Sequence, residues 1–164
     1  MIRIKYSDIV RTFSEILIES FPEIEILDVE KDYPRPAFFT RLDVDTTGHF
    51  MTNYIDSKIN FRIYYFPSTT DNNELELLEM RDELEFLFLV KHNRLINVNG
   101  VNIEIEDIGV GEVDNVLHFY LIFTISQEII DDTDETDINY MEKLELETTL
   151  ANTHWADTNM KRSE

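Results

Sequence analysis

The four histidines are the side chains of this sequence best suited to acid–base or metal chemistry near neutral pH. They occur at His49, His92, His118 and His154, and no two have the i, i+4 spacing that places metal ligands on one helix face. The absence of cysteine excludes a disulfide framework, a thiol nucleophile and a cysteine zinc site. We therefore expect the histidines to be ordinary surface or core residues.

Two segments approach known ligand-binding patterns without completing them. Asp132-Thr133-Asp134 has the alternating acids of a calcium loop, but the required glycine and the later bidentate glutamate are missing. Gly109-Val110-Gly111-Glu112 lacks the full phosphate-binding pattern and precedes a strand instead of a helix, so we predict an ordinary loop there. No serine lies in a nucleophile-elbow context. The sequence predicts a non-enzymatic protein with no catalytic residue, metal or cofactor.

The formal net charge is −20, from 34 acidic and 14 basic residues. Binding to nucleic-acid phosphates and docking on an anionic membrane both need clustered Lys and Arg, so we expect neither partner. The acidity favours solubility and opposes self-association. It also suits a partner with a basic surface, or a lumen past which DNA slides without sticking. The sequence alone does not choose between these interpretations.

The length of 164 residues, with 43% hydrophobic residues, is sufficient for one domain with a substantial core. The longest apolar run, residues 116–125, is too short to span a bilayer. Charged Arg3 and Lys5 precede a helical pattern, so we expect no signal peptide and assembly in the cytoplasm. We predict an α+β domain over residues 1–130, mainly an antiparallel sheet with two helices packed on it, and an acidic C-terminal extension over residues 131–164.

The first helix and the early strands follow from local patterns. Ser7 is the predicted N-cap of an amphipathic helix that Pro22 ends. Its predicted apolar face consists of Ile9, Val10, Phe13, Leu17 and Phe21. Strands are predicted over residues 23–29, 37–45 and 54–66, with Gly48 in or near the turn before the third. The third strand alternates, with an apolar face of Ile55, Ile59, Phe61, Ile63 and Tyr65 and a polar face of Asp56, Lys58, Asn60 and Arg62. Pro34 and Pro36 predict a rigid, extended start to the second strand, at a sheet edge.

Two further strand patterns occur in the second half of the domain. Asn99-Gly100 predicts a type I′ turn in a hairpin formed by residues 95–98 and 101–105. Residues 116–128 predict a last strand that is apolar on both faces. Such a strand is either central in the sheet or covered by a partner.

The second predicted helix, residues 71–90 capped by Thr70 or Asp71, has two apolar stripes. The first stripe contains Leu77, Met80, Leu84, Leu87 and Phe88. The second, nearly opposite, contains Leu75, Leu78, Phe86 and Leu89. A helix on a small sheet needs only one apolar face, so the second stripe lies either beneath a loop or the tail, or at a subunit interface. We predict the interface.

The acidic extension begins with a crowded run of carboxylates: Asp131, Asp132, Asp134, Glu135 and Asp137. Such a run favours a solvated linker. Ile138, Met141 and Leu144 then allow a short helix with one apolar edge, which is a second interface candidate. Residues 151–164 have little periodicity, and we expect the extension to be mobile until it meets a neighbour or another component.

Six blocks of ordinary residues occur together in a fixed order along residues 5–147. They are Tyr6-Ser7-Asp8-Ile9, Pro34-Arg35-Pro36-Ala37-Phe38-Phe39, Tyr64-Tyr65-Phe66-Pro67, Asn73-Glu74-Leu75 through Leu84, Val113-Asp114-Asn115-Val116-Leu117-His118-Phe119 and Met141-Glu142-Lys143-Leu144. In order and spacing they resemble the tail terminator family of long-tailed phages, which also occurs in prophages and phage-tail-like bacteriocins of Gram-positive bacteria. Residues 148–164 extend beyond the resemblance.

The resemblance implies an architectural protein. It implies a homohexameric ring on the head-proximal end of a completed tail tube, which stops tube growth and presents a surface to the neck, or caps a headless tail. The implied partners are further copies of the chain, the tail tube protein, and sheath and neck or connector proteins. The implied location is the host cytoplasm and then the virion or tail-like particle, with a contractile or non-contractile tail.

Two other functions are open, and one contact residue is suggested. A head–tail connector or another neck component could use the same small α+β fold, and a small-molecule binding module would need a polar pocket that no motif specifies. Arg35, held between Pro34 and Pro36, is a candidate contact residue or an ordinary loop cation.

Overall fold

A computed structural model describes residues 4–27, 34–50 and 53–128. The elements, in chain order, are α1 (Tyr6–Ser20), β1 (Glu25–Leu27), β2 (Ala37–Phe50), β3 (Tyr54–Phe66), α2 (Glu74–Glu85), a π-helical segment (Phe86–Lys91), β4 (Leu95–Val98), β5 (Val101–Glu104), β6 (Asp107–Val113) and β7 (Val116–Glu128). The predicted acidic extension, including Ile138, Met141 and Leu144, lies outside the described residues. The division of the chain into domains therefore stays a prediction.

The main sheet has five strands in the order β1-β2-β3-β7-β6. Only the β1–β2 pair is parallel, while β2–β3, β3–β7 and β6–β7 are antiparallel. The β4–β5 hairpin forms a separate two-stranded sheet. An antiparallel-dominated sheet with two helices confirms the predicted α+β class.

The core lies between the helices and one face of the main sheet, which we call the inner face. Ile9, Phe13 and Leu17 recur every fourth residue of α1 and are fully buried. The Phe13 ring lies 4.7 Å from Phe61 of β3 and 5.6 Å from Phe123 of β7, measured between centroids. Aromatic contacts across three elements therefore fix α1 against the centre of the sheet.

Strand periodicity places successive residues of β3 on opposite faces of the sheet. Ile59, Phe61 and Ile63 are fully buried on the inner face, whereas Lys58 is exposed and Arg62 half-buried on the other, outer face. The predicted bounds of β3 and its division into an apolar and a polar face are confirmed. β7 lies between β3 and β6, which confirms that this apolar strand is internal to the sheet.

Two tight turns give the hairpins their register. Asn99 and Gly100 have φ values of 50° and 87°, which confirms the predicted type I′ geometry between β4 and β5. Asp114 and Asn115 have φ values of 52° and 59° and connect β6 to β7 in the same way. Because both residues tolerate the left-handed region, this second turn forms without glycine.

Residues 109–112 form part of strand β6, and the predicted loop is wrong. Gly109 pairs with Tyr120 of β7, and Gly111 pairs with His118. Glycine often indicates a loop, but these two glycines belong to a strand that the Tyr120 side chain covers. Gly48, predicted in or near the turn before β3, is near that connection but lies within strand β2. β2 continues through a bulge between Val44 and Thr46 as far as Phe50, so Gly48 pairs with Asp56 inside the hairpin.

The ends of several other elements differ from the prediction. β1 covers only Glu25–Leu27 of the predicted residues 23–29, of which 28 and 29 are not described. β1 also pairs with Ala37–Phe39, so the start of β2 is not at the predicted sheet edge. The cap of α1 is Lys5, whose carbonyl accepts from the Ile9 N–H at 3.3 Å, and Ser7 lies inside the helix.

α2 is shorter than predicted and begins later. Its cap is Asn73 instead of Thr70 or Asp71, because side-chain hydrogen bonds hold the preceding residues in a loop. The α-helical hydrogen bonds end at Glu85, and the remaining predicted helix is the π-helical segment. The last turns of the predicted helix therefore have a wider backbone than an α-helix.

Candidate assembly surfaces

The helical segment 74–91 has one buried face and one exposed apolar face. The buried residues are those of the first predicted stripe: Leu77, Met80, Leu84, Leu87 and Phe88. On the other side Leu75, Leu78, Phe86 and Val90 are 69%, 56%, 60% and 62% exposed. We call these four residues the α2 stripe. Leu89 of the second predicted stripe is half-buried, and the predicted interface role of Leu75, Leu78, Phe86 and Leu89 stays a prediction.

The π-helical geometry decides which side chains join the α2 stripe at its end. The His92 N–H donates to the Leu87 carbonyl at 3.1 Å, a bond that spans five residues instead of four. The wider turn buries Leu87 and Phe88 together while Phe86 and Val90 point outward. Exposed large apolar residues in a row are typical of interaction surfaces.

The surroundings of the α2 stripe are strongly acidic. Residues 74–91 contain six carboxylates and two basic residues, a net charge of −4. One of the two cations, Arg81, is already paired, with its Nε 2.9 Å from Glu85 Oε1. The exposed side of this segment therefore combines apolar contact area with negative charge.

Glu76 connects the start of α2 to the end of β3. The Tyr65 hydroxyl and the Ser68 N–H donate to Glu76 Oε1 at 2.6 and 2.8 Å, and the Ser68 hydroxyl donates to Oε2 at 2.7 Å. Burial alone would raise the pKa of Glu76, but the three hydrogen bonds outweigh it and the pKa is lowered. Burial and then Glu76 raise the pKa of Tyr65. The ionised carboxylate thus positions the α2 stripe relative to the sheet.

Two asparagines attach the same loop to the β6–β7 turn. Asn73 is buried, and its amide donates to the carbonyls of Thr69 and Asn115 at 3.1 and 3.4 Å. The Asn115 amide donates to the Thr70 carbonyl at 3.1 Å. These bonds join the loop before α2 to the β6–β7 hairpin, at the β6 edge of the sheet.

A second distinctive surface lies on the outer face of the sheet, where no described helix packs. The register aligns Phe39, Tyr64 and His118 in one row across β2, β3 and β7, and Arg41, Arg62 and Tyr120 in the next. We call these six residues the outer patch. The Tyr64 ring lies 5.7 Å from Phe39 and 4.7 Å from His118, between centroids.

Ionic and aromatic contacts link the two arginines of the outer patch. Arg41 Nε donates to Asp43 Oδ1 at 2.8 Å. Arg62 Nε lies 3.0 Å from Asp43 Oδ2, which is an ion-pair distance. Among the described residues, however, its N–H is not aligned for a hydrogen bond. The guanidinium carbon of Arg62 is 5.7 Å from the Tyr120 ring centre. Hydrogen bonding to Tyr64 and the charge of Asp43 raise the pKa of Arg62 against the effect of burial.

Glycine in β6 allows Tyr120 to lie flat across the edge of the sheet. A Cβ at Gly109 would be 3.1 Å from Tyr120 Cδ2, closer than ordinary van der Waals contact. A Cβ at Gly111 would be 3.9 Å from the Tyr120 hydroxyl. The polar side of β3 could be predicted from sequence but the outer patch could not, because its members come from three strands that only the register brings together.

Arg35 lies in the bend before β2 and is exposed. Its Nη1 is 3.5 Å from the Pro67 carbonyl, at the end of β3. This contact places the cation at the end of the sheet where β2 begins. Its predicted role as a contact residue stays a prediction.

The three histidines within the described residues lie in different parts of the fold. His49 is exposed in β2, His92 follows the π-helical segment, His118 belongs to the outer patch, and His154 is not among the described residues. Within residues 4–27, 34–50 and 53–128, no three His, Asp or Glu side chains form a group that could hold a metal. In the same ranges, neither helix is long and apolar enough to cross a membrane.

A two-layer α+β domain with an exposed apolar helix face and a half-exposed aromatic sheet face has the features of a structural assembly protein. A family model described as phage tail terminator protein matches residues 8–137. The chain belongs to this family, which confirms the resemblance found in the sequence, and its role is that of a structural component of a phage tail.

Comparisons with individual proteins add little to this assignment. One of nine matching solved chains is 12% identical, with 79% of this chain and 99% of the other covered and a TM-score of 0.43. That similarity is too low to bear on function. The comparison with curated proteins finds no match.

Proposed function

We propose that this protein closes the head-proximal end of a phage tail tube, or of a phage-tail-like particle, as a ring. The ring stops the addition of tube subunits and presents a different surface to the neck or collar. The family match over residues 8–137 is the observation that carries the proposal. No enzymatic step is required, because growth stops when the contacts close on themselves.

The α2 stripe supports the proposal as a contact between copies. Three carboxylate hydrogen bonds hold the start of α2 in place, while the residues of the α2 stripe are exposed in the part of the chain that the structure describes. A ring of six, the number that the family implies, would present this stripe six times around its circumference. Its other partners would be the tube protein and the sheath and neck proteins, first in the host cytoplasm and then in the virion.

Changing Leu78 to Glu tests the role of the α2 stripe. We expect weaker assembly and an unchanged circular dichroism spectrum, because Leu78 is 56% exposed. The matched control is Leu95→Glu, an exposed leucine of β4 outside the stripe. Loss of folding on changing Leu78 would instead assign the stripe to the core.

The head–tail connector is the alternative function, and tail length separates the two. Electron microscopy of particles made without this protein should find tubes of irregular, extended length, because nothing ends their growth. Tubes of uniform, unchanged length with normal ends would rule out the terminator role. Normal tails that fail to join heads would favour the connector.

A further inference from the structure

We propose that the outer patch of one copy receives the α2 stripe of the next copy, so that a single heterologous contact, repeated, forms the ring. The inference rests on the proposed function and identifies the two surfaces that meet. Both are on the described domain, and they lie on opposite sides of its two layers. A ring needs two different complementary surfaces on each subunit, and this pair supplies them.

The α2 stripe and the part of the outer face that includes the outer patch have similar lengths. From Leu75 to Val90 the α2 stripe is about 20 Å long at the helical rise per residue. The outer face from the Tyr64 row to the Lys58 row is also about 20 Å long at the strand rise per residue. Its three strands are about 10 Å apart from first to last, which is about the diameter of a helix. One helix can therefore lie along this part of the sheet.

The charges of the outer patch and of the helical segment are opposite. The outer patch contains two cations, Arg41 and Arg62, and no carboxylate, against a net charge of −4 for residues 74–91. Over the whole outer face between those two rows, Lys58 is a third cation, and Asp43, the bulge residue Asp45 and Asp107 of β6 are three carboxylates, so that face is neutral in a chain of −20. Complementary charge orients two surfaces and suppresses wrong pairings.

The contact chemistry is also complementary. The α2 stripe offers leucine, valine and phenylalanine side chains, and the outer patch offers the half-exposed rings of Phe39, Tyr64 and Tyr120. Aromatic residues and arginine are the types enriched where proteins bind each other. One helix on three strands buries less than the roughly 800 Å² per partner of a stable complex, so each contact is weak until the ring closes.

Charge exchange between two variants tests the contact. Leu78→Lys places a cation in the α2 stripe, which would then face the two arginines of the outer patch. Arg41→Glu places a carboxylate in the outer patch, which would then face the acids of α2. We expect each variant alone to assemble about tenfold more weakly than the wild type, measured by sedimentation velocity at moderate salt. Leu78→Lys lowers the net negative charge of the chain, so weaker assembly of this variant cannot result from greater repulsion between chains.

Mixing the two variants in equal amounts should restore assembly. In an alternating ring, the α2 stripe with Lys at position 78 meets the outer patch with Glu at position 41 in one contact, and wild-type surfaces meet in the next. Leu95→Lys, which places the same cation on an exposed leucine outside the stripe, serves as the control and should assemble as the wild type does. Circular dichroism and thermal melting of each variant establish that it is folded.

Three results would overturn the inference. They are assembly that neither variant weakens, loss in only one variant, and loss in both without recovery on mixing. The last result would mean that the surfaces bind themselves or another tail protein. Wild-type protein that forms no ring, alone or on tube ends, would instead count against the proposed function, so the two failures are distinguishable.

Discussion

The α2 stripe and the outer patch are both exposed surfaces, but they are built differently. The stripe consists of apolar residues on one helical segment, and its side chains project from a helix whose opposite face is in the core. The patch consists of residues from three strands that contact one another through ring, ion-pair and cation–π contacts. A stripe residue can therefore be changed with little effect on the fold, whereas a patch residue also supports the sheet.

The largest expected difference is between substitutions on the buried face and on the exposed face of α2. Leu84→Ala should lower the free energy of unfolding by about 2–5 kcal/mol, because Leu84 is fully buried and its loss leaves a cavity. Leu78→Ala should change it by less than about 0.5 kcal/mol. Urea denaturation of both variants measures the difference. Equal destabilisation would mean that the stripe is part of the core.

Removing the charge of Glu76 should have the next largest effect. Glu76→Gln should cost about 1–3 kcal/mol of unfolding free energy near neutral pH, because Gln cannot accept all the hydrogen bonds from Tyr65 and Ser68. Ser68→Ala, which removes only the hydroxyl bond, is the graded control and should cost less. Equal stability of Glu76→Gln and the wild type would show that the loop before α2 is held by other contacts.

The pKa of Glu76 gives that interaction a defined pH dependence. Its folded-state pKa is lower than its ordinary value of 4.5, so the unfolded chain binds the proton first as the pH falls. The stabilisation is therefore fully present above about pH 4.5 and is lost as the pH falls through the folded-state pKa. Unfolding free energy measured across this range should fall less steeply in Glu76→Gln than in the wild type.

Substitutions at the two glycines of β6 test how the Tyr120 ring of the outer patch is placed. Gly109→Ala should destabilise the protein by about 1 kcal/mol, because the added Cβ would meet the Tyr120 ring at 3.1 Å. Gly111→Ala should be neutral or stabilising by about 0.5 kcal/mol, since its Cβ meets only the Tyr120 hydroxyl at 3.9 Å. Thermal melting of the two variants should separate them. The same sign of change in both would contradict the flat placement of Tyr120.

Salt should have the smallest effect of these changes on subunit association, which we expect to strengthen at moderate salt and to weaken at high salt. In the proposed ring, chains of −20 would repel one another at long range, so moderate salt should promote association by screening that repulsion. Contacts such as those of Arg41 are at short range and weaken only at higher salt. Sedimentation at increasing ionic strength should therefore show a maximum. A steady fall from low salt upward would contradict the repulsion argument and indicate ion-paired interfaces alone.

Much of the fold could be predicted because it follows from local periodicity. The alternation along residues 54–66 matches β3, and the Asn99-Gly100 turn has the predicted geometry, because both depend on nearest neighbours in the chain. The errors occur where distant residues decide. Gly109 and Gly111 were predicted to lie in a loop, but pairing with β7 makes them part of a strand. Gly48 is likewise held in β2 by its pairing with β3.

The candidate surfaces divide in the same way. The exposed leucines of the α2 stripe could be predicted from helical spacing, since one segment contains them all. The shift to π-helical geometry at Phe86 could not, because it depends on packing Leu87 and Phe88 together against the core. The one sign of the outer patch in the sequence was the polar side of β3. That pattern does not show which residues of β2 and β7 lie next to it.

The sequence by itself determined the α+β class, the acidity, the absence of a cysteine or histidine site of known spacing, and the resemblance to tail terminators. These properties are composition, short-range periodicity and the order of blocks along the chain. Only the tertiary structure decided that Phe39, Tyr64 and His118 share a row and that Asp43 lies between two arginines. The physical reason is strand register: a shift of one residue would send each side chain to the opposite face of the sheet.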